Sequence, residues 1–95
     1  MARFVVELHV PVVDSAETLE DIEAFLDDLE ETGEIEIHAE PEDRPEEHVF
    51  FLTGPDPDIL LTAATQAAET PGTPGGAFAV VLPEGRRVPL PWTSG

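Results

Sequence analysis

The stretch GEIEIHAEPEDRPEEHVFFLTG, residues 33–54, decides the fold. From Glu34 to Glu40 it alternates, with Ile35, Ile37 and Ala39 against Glu34, Glu36, His38 and Glu40, the signature of a half-buried strand. Residues 41–46 form a polar turn carrying Pro41 and Pro45. From His48 to Gly54 the chain is apolar on both faces, as a central strand is. Two strands follow each other directly, close enough to pair as a hairpin, and a helical pattern lies on either side of them.

Upstream, Phe4, Val6, Leu8 and Val10 alternate with Val5, Glu7 and His9 in a β-branched run that Pro11 closes. Asp14 stands three residues before Glu17, a capping spacing, and opens a helix. Its apolar stripe is Leu19, Ile22, Phe25, Leu26 and Leu29, and Gly33 is placed to end it. Downstream, Asp56 and Pro57 are a cap and a first helical residue. The alanine-rich segment from Ile59 to Thr70 follows, with Ile59, Leu60, Ala63, Ala64 and Ala67 expected to face the core. A loop rich in proline and glycine, Thr70 to Gly76, breaks that helix. Ala77 to Leu82 then reads as a strand, and Glu84-Gly85 as a turn from which Arg86 to Leu90 runs back briefly.

The order β-α-β-β-α-β predicts an α+β, ferredoxin-like sandwich, a four-stranded antiparallel sheet with two helices on one face. The expectation is a single domain over 1–95, with the core in 1–85 and an extended C-terminal tail in 86–95. The whole pattern is similar to that of small dimeric α+β-barrel proteins, which include muconolactone-isomerase-like enzymes and small monooxygenases. That resemblance is one of element order, and order alone does not assign a function.

The charge is extreme. The 95 residues include 21 acidic and 4 basic side chains, a formal net charge of −17, and the basic ones are all arginine. Such a surface repels phosphate backbones and anionic lipids, which argues against direct nucleic-acid and membrane binding. Acidity of this kind keeps a protein soluble and suits a salty interior, and it also fits a basic partner or mimicry of a nucleic acid. The helix carries Glu17, Glu20, Asp21, Glu23, Asp27, Asp28, Glu30 and Glu31 opposite its apolar stripe, an acidic interaction surface. The chain has no cysteine, and therefore no disulfide framework, thiolate metal site or cysteine nucleophile. The first residues lack a signal-peptide pattern and no run reaches the length of a membrane span, so a cytoplasmic location is the expectation.

Candidate sites lie on the sheet face that the helices leave open. Glu7 and His9 from the first strand, and Glu36 and His38 from the second, belong there, with His48 beginning the third at an undecided register. Histidine beside carboxylate is the chemistry of a metal site or an acid–base pair. Against it, the third strand separates the first and second by roughly 10 Å, and no HxH or HExxH spacing is present. No cofactor is specified. The third strand adds Val49, Phe51 and Thr53 to this face in the favoured register, and the last strand adds either Ala77, Ala79 and Val81 or Phe78, Val80 and Leu82. An uncovered apolar face predicts a homodimer through Val5, Val49 and Phe51, with Trp92 in the tail as an anchor. The expected function is that of a small acidic, non-enzymatic interaction module. The alternatives are a small dimeric α+β-barrel enzyme or ligand-binding protein using the sheet-face histidines, and an acidic inhibitor or antitoxin-like protein that binds a basic partner.

Overall fold

A computed structural model describes residues 3–12, 16–82, 84–90 and Trp92. Its elements are β1 (Phe4–Pro11), α1 (Ala16–Thr32), β2 (Glu36–Asp43), β3 (Glu47–Gly54), α2 (Pro57–Ala68), β4 (Phe78–Leu82) and β5 (Arg86–Pro89). The Asp14 cap lies outside the described residues. No helix among them is long and apolar enough to cross a membrane.

The α+β class stands, with one antiparallel sheet and two helices, but the sheet has five strands, in the order β2-β3-β1-β4-β5. The stretch expected to be the start of a tail supplies the fifth. Glu84 and Gly85 turn the chain back, Gly85 N–H donates to Val81 O at 2.7 Å, and Val88 pairs with Ala79 and is buried. Leu90 N–H donates to Ala77 O at 3.2 Å, so in this ladder Pro89 turns its donor-less nitrogen toward the free edge.

One face of the sheet meets both helices. Val6, Leu8 and Val10 of β1, Phe50 and Leu52 of β3, Ala79 and Val81 of β4 and Val88 of β5 form a single apolar cluster with Ile22 and Leu26 of α1 and Leu60, Leu61, Ala63, Ala64 and Ala67 of α2. Phe4, Leu19, Phe25, Leu29 and Ile37 pack half-buried at its margin. The carboxylates of the last turn of α1 oppose the helix dipole with no basic residue to offset them, so burial of the stripe must hold this helix. It ends at Gly33, whose φ of 84° is the left-handed stop that glycine adopts without cost. Asp56 caps α2, its side chain accepting from Asp58 N–H at 2.9 Å. Ile59 departs from expectation. The helix phase that buries Leu60 and Leu61 together turns Ile59 outward, 43% exposed.

The alternation read from Glu34 to Glu40 is also interrupted. The strand begins at Glu36 and is bulged twice against β3, between Ile37 and Ala39 and again between Ala39 and Glu42. Each bulge shifts the faces by one residue. Ala39 consequently stands opposite Phe51 instead of joining Ile37 on the helix side. At the outer edge of β2, the Glu30 carboxylate accepts from Ile37 N–H at 2.9 Å.

Candidate functional site

The sheet face turned away from the helices is ordered in rows by the strand registers. Glu36, Thr53, Val5 and Leu82 form the first row, and Ala39, Phe51, Glu7, Val80 and Arg87 the second. Glu42, Val49, His9, Phe78 and Pro89 form the third, and Glu47 and Pro11 begin a fourth. This fixes both open registers: β3 contributes Val49, Phe51 and Thr53, and β4 contributes Phe78, Val80 and Leu82.

The two halves of this face differ in chemistry. In the first two rows Val5, Phe51, Val80 and Leu82 are half-buried, with no helix above them. In the third row His9 is 7% exposed and both of its ring nitrogens face carboxylates, Nδ1 at 2.8 Å from Glu47 Oε2 and Nε2 at 3.1 Å from Glu7 Oε1. The His9 ring stacks on Phe78 with centroids 4.6 Å apart and planes 6° from parallel. Arg87, from the strand on the other side of Phe78, sets its guanidinium carbon 3.9 Å from that ring's centroid. Glu47 also accepts from Arg44 at 3.2 Å, and Arg44 reaches Glu42 at 2.8 Å. The hydrogen bond from His9, reinforced by the charges of His9 and Arg44, holds the Glu47 carboxyl below the ordinary glutamate value against the opposing effect of burial. Val49 lies beside this network and is fully buried without a helix over it.

The predicted site residues separate accordingly. Glu7 and His9 are brought together, and Glu47 completes the pair into a bridge. His38 falls in the first bulge, exposed, on a strand that β3 separates from β1. Glu36 pairs with Arg3 at 2.9 Å on the exposed surface. His48 lies on the helix side, opposite Val10, with Nδ1 2.8 Å from Asp43 Oδ1. Its Nε2 is buried with no hydrogen-bond partner among the described residues. Among the described residues, no three histidine or carboxylate side chains gather as they would to hold a metal ion. Both His9 ring nitrogens thus meet carboxylates, and the ring bridges β1 to the start of β3.

Glu17, Glu20, Asp21, Glu23, Asp27, Asp28, Glu30 and Glu31 are all exposed, and among the described residues none of them forms an ion pair. Trp92 is on neither the acidic face nor the open sheet. Its backbone N–H donates to Thr65 Oγ1 at 2.9 Å, so Trp92 lies against α2.

Glu47, Phe78 and Arg87 were not foreseen as parts of the site. The signal for Glu47 was its phase, since Glu47, Val49, Phe51 and Thr53 occupy alternate positions of one strand. Compared with protein families, with curated proteins and with solved structures, the chain shows no match.

Proposed function

We propose that this chain is a non-enzymatic interaction module that pairs with a second copy of itself through the open sheet face. We read β1 through β4 with the two helices as a ferredoxin-like unit that β5 extends. The observation that carries the proposal is the strip Val5, Phe51, Val80 and Leu82, half-buried on the face without helices. Apolar surface left in water costs about 25 cal/mol per Å². A sheet of this width and strand length has a flat area on the order of 500 Å². That is the same scale as the roughly 800 Å² each partner buries in a standard interface. The His9 bridge would border such an interface and fix its polar margin, with α1 facing outward in both copies.

The test is a native mass spectrum and a light-scattering mass at increasing salt. The expected result is a dimer whose population rises with salt, because screening weakens the repulsion between two chains of net charge −17. Val80→Glu at the centre of the strip should give a monomer with an unchanged circular-dichroism spectrum. A wild-type chain that stays monomeric at high concentration and high salt overturns the reading.

A further inference from the structure

The helix side carries a second surface, separate from the sheet face. A groove of about 400 Å³ runs between the end of α1 and the outer side of α2. Its origin is the phase of α2. With Leu60, Leu61, Ala64 and Ala67 turned inward, positions 59, 62 and 66 form the outward stripe. Thr62 and Gln66 suit water there, whereas Ile59 does not. Among the described residues only Ile59 and Val12 are large apolar side chains in the exposed class. Leu29 of α1, Ala63 and Trp92 complete the apolar lining, and among the described residues the ionisable groups of the groove are Glu34 and Asp58.

Trp92 is fixed there by construction. Thr65, 8% exposed, accepts from the Trp92 backbone N–H, which ties the chain to α2 and seats the indole at the groove. A large, rigid aromatic held in place is the kind of side chain that dominates binding energy at protein interfaces.

We propose that this groove is the docking site for a cationic amphipathic segment of a partner protein. Charge selects that occupant. Among the described residues the groove is lined by carboxylates without a cation, the exposed carboxylates of α1 adjoin it in the chain, and the protein bears a net charge of −17. An anionic lipid surface or a nucleic acid would meet repulsion, and a second copy would bring no lysine and only four arginines to these carboxylates. A segment with leucines at i, i+3, i+4 and i+7 and lysines between them sets its apolar side chains on Leu29, Ile59 and Trp92, and its ammonium groups toward Glu34 and Asp58. This inference stands apart from sheet-face pairing, because its readout is local to Trp92 and involves no change in the mass of the protein alone.

The chain has one tryptophan and no tyrosine, so its intrinsic emission reports on Trp92. The probe is a short Leu/Lys amphipathic helical peptide titrated into the full chain. An oligolysine of equal charge and a scrambled Leu/Lys peptide serve as comparisons. The expected result is a saturable blue shift of the emission with the amphipathic peptide alone, and an apparent Kd that rises with salt. Ile59→Ser should weaken binding roughly tenfold, the scale of losing one buried aliphatic side chain. Because Ile59 is exposed in the free chain, circular dichroism should be unchanged. Glu34→Gln should flatten the salt dependence. Equal shifts with oligolysine or the scrambled peptide, no shift at all, or wild-type affinity in Ile59→Ser each overturn the proposal. A shift produced by concentrating the protein alone assigns the groove to a second copy and overturns it as well.

Discussion

The imidazole of His9 and the carboxylate of Glu47 meet at 2.8 Å on the sheet face opposite the helices, although 38 residues separate them in the chain. The contact is diagonal. His9 pairs in register with Val49, and Glu47 reaches it from two residues back along β3. It joins the centre of the sheet to the start of the β2–β3 hairpin, because Glu47 also holds Arg44.

Removing this carboxylate should change both the stability and its dependence on pH. In Glu47→Gln the loss is expected to be about 1.5–3 kcal/mol near neutral pH, the scale of a hydrogen bond to a charged group. Glu47 has a lowered pKa in the folded chain, so the unfolded chain takes up its proton first as the pH falls. Its contribution is therefore fully present above the ordinary glutamate value and is lost as the pH drops through the folded value. Urea midpoints measured from neutral to acidic pH should fall more steeply for wild type than for Glu47→Gln. Parallel curves would refute the assignment.

His48 invites the opposite outcome. Its ring is nearly buried, Nε2 has no partner among the described residues, and the Asp43 carboxylate that meets Nδ1 is itself largely in water. Replacement by leucine forfeits one hydrogen bond, worth about 1 kcal/mol net, and removes an unsatisfied buried polar atom that costs about 1–3 kcal/mol. His48→Leu should therefore leave the urea midpoint unchanged or raise it. A loss above about 2 kcal/mol would show that Nε2 is satisfied in solution.

The loop between α2 and β4 offers a paired comparison. Gly72 has a φ of 93°, and a Cβ there would stand 2.5 Å from the hydroxyl of buried Thr18 on α1. Gly75 has an ordinary φ and nothing within 4 Å of the same position. Gly72→Ala should cost about 1–3 kcal/mol through strain and overlap, and Gly75→Ala at most about 0.5 kcal/mol. In a domain of this size each kcal/mol moves Tm by roughly 4–8 °C, so melting curves separate the two. Equal melting points would mean that the loop does not rest on Thr18.

The features legible in the sequence were those set by local chemistry. The alternation of Phe4 to Val10, the stripe from Leu19 to Leu29 and the Asp56-Pro57 start each follow from a few neighbouring residues, and the structure has them. The favoured register of β3 followed from pattern as well, since only one phase puts both Phe50 and Leu52 in the core. Of the fifth strand only the turn at Glu84-Gly85 and a brief return were legible, and its pairing was not, because Arg86 to Pro89 offers one inward side chain, Val88, and depends on the neighbouring edge of β4. The β2 bulges were invisible for a related reason. Ile35, Ile37 and Ala39 alternate cleanly, and only the partner strand decides where two residues must oppose one. The neighbourhood of Glu7 and His9 was legible, and the contact of His9 with Glu47 was not, because the prolines beside Glu47 mark a turn and its strand begins one residue earlier than the apolar run does. Trp92 was assigned an anchoring role at the sheet interface, whereas the hydroxyl of Thr65 draws it to the helices.

The two margins of the sheet have a consequence for assembly. On one side β2 is kinked twice, interrupted by Pro41 and occupied at Ile37 by the side chain of Glu30. On the other, β5 is four residues long and turns a proline nitrogen outward. Both margins are thereby blunted against an incoming strand. In the pairing proposed above, two copies would meet through side chains, face against face. A two-fold pairing of that kind would close after one step and leave no free end from which a filament could grow.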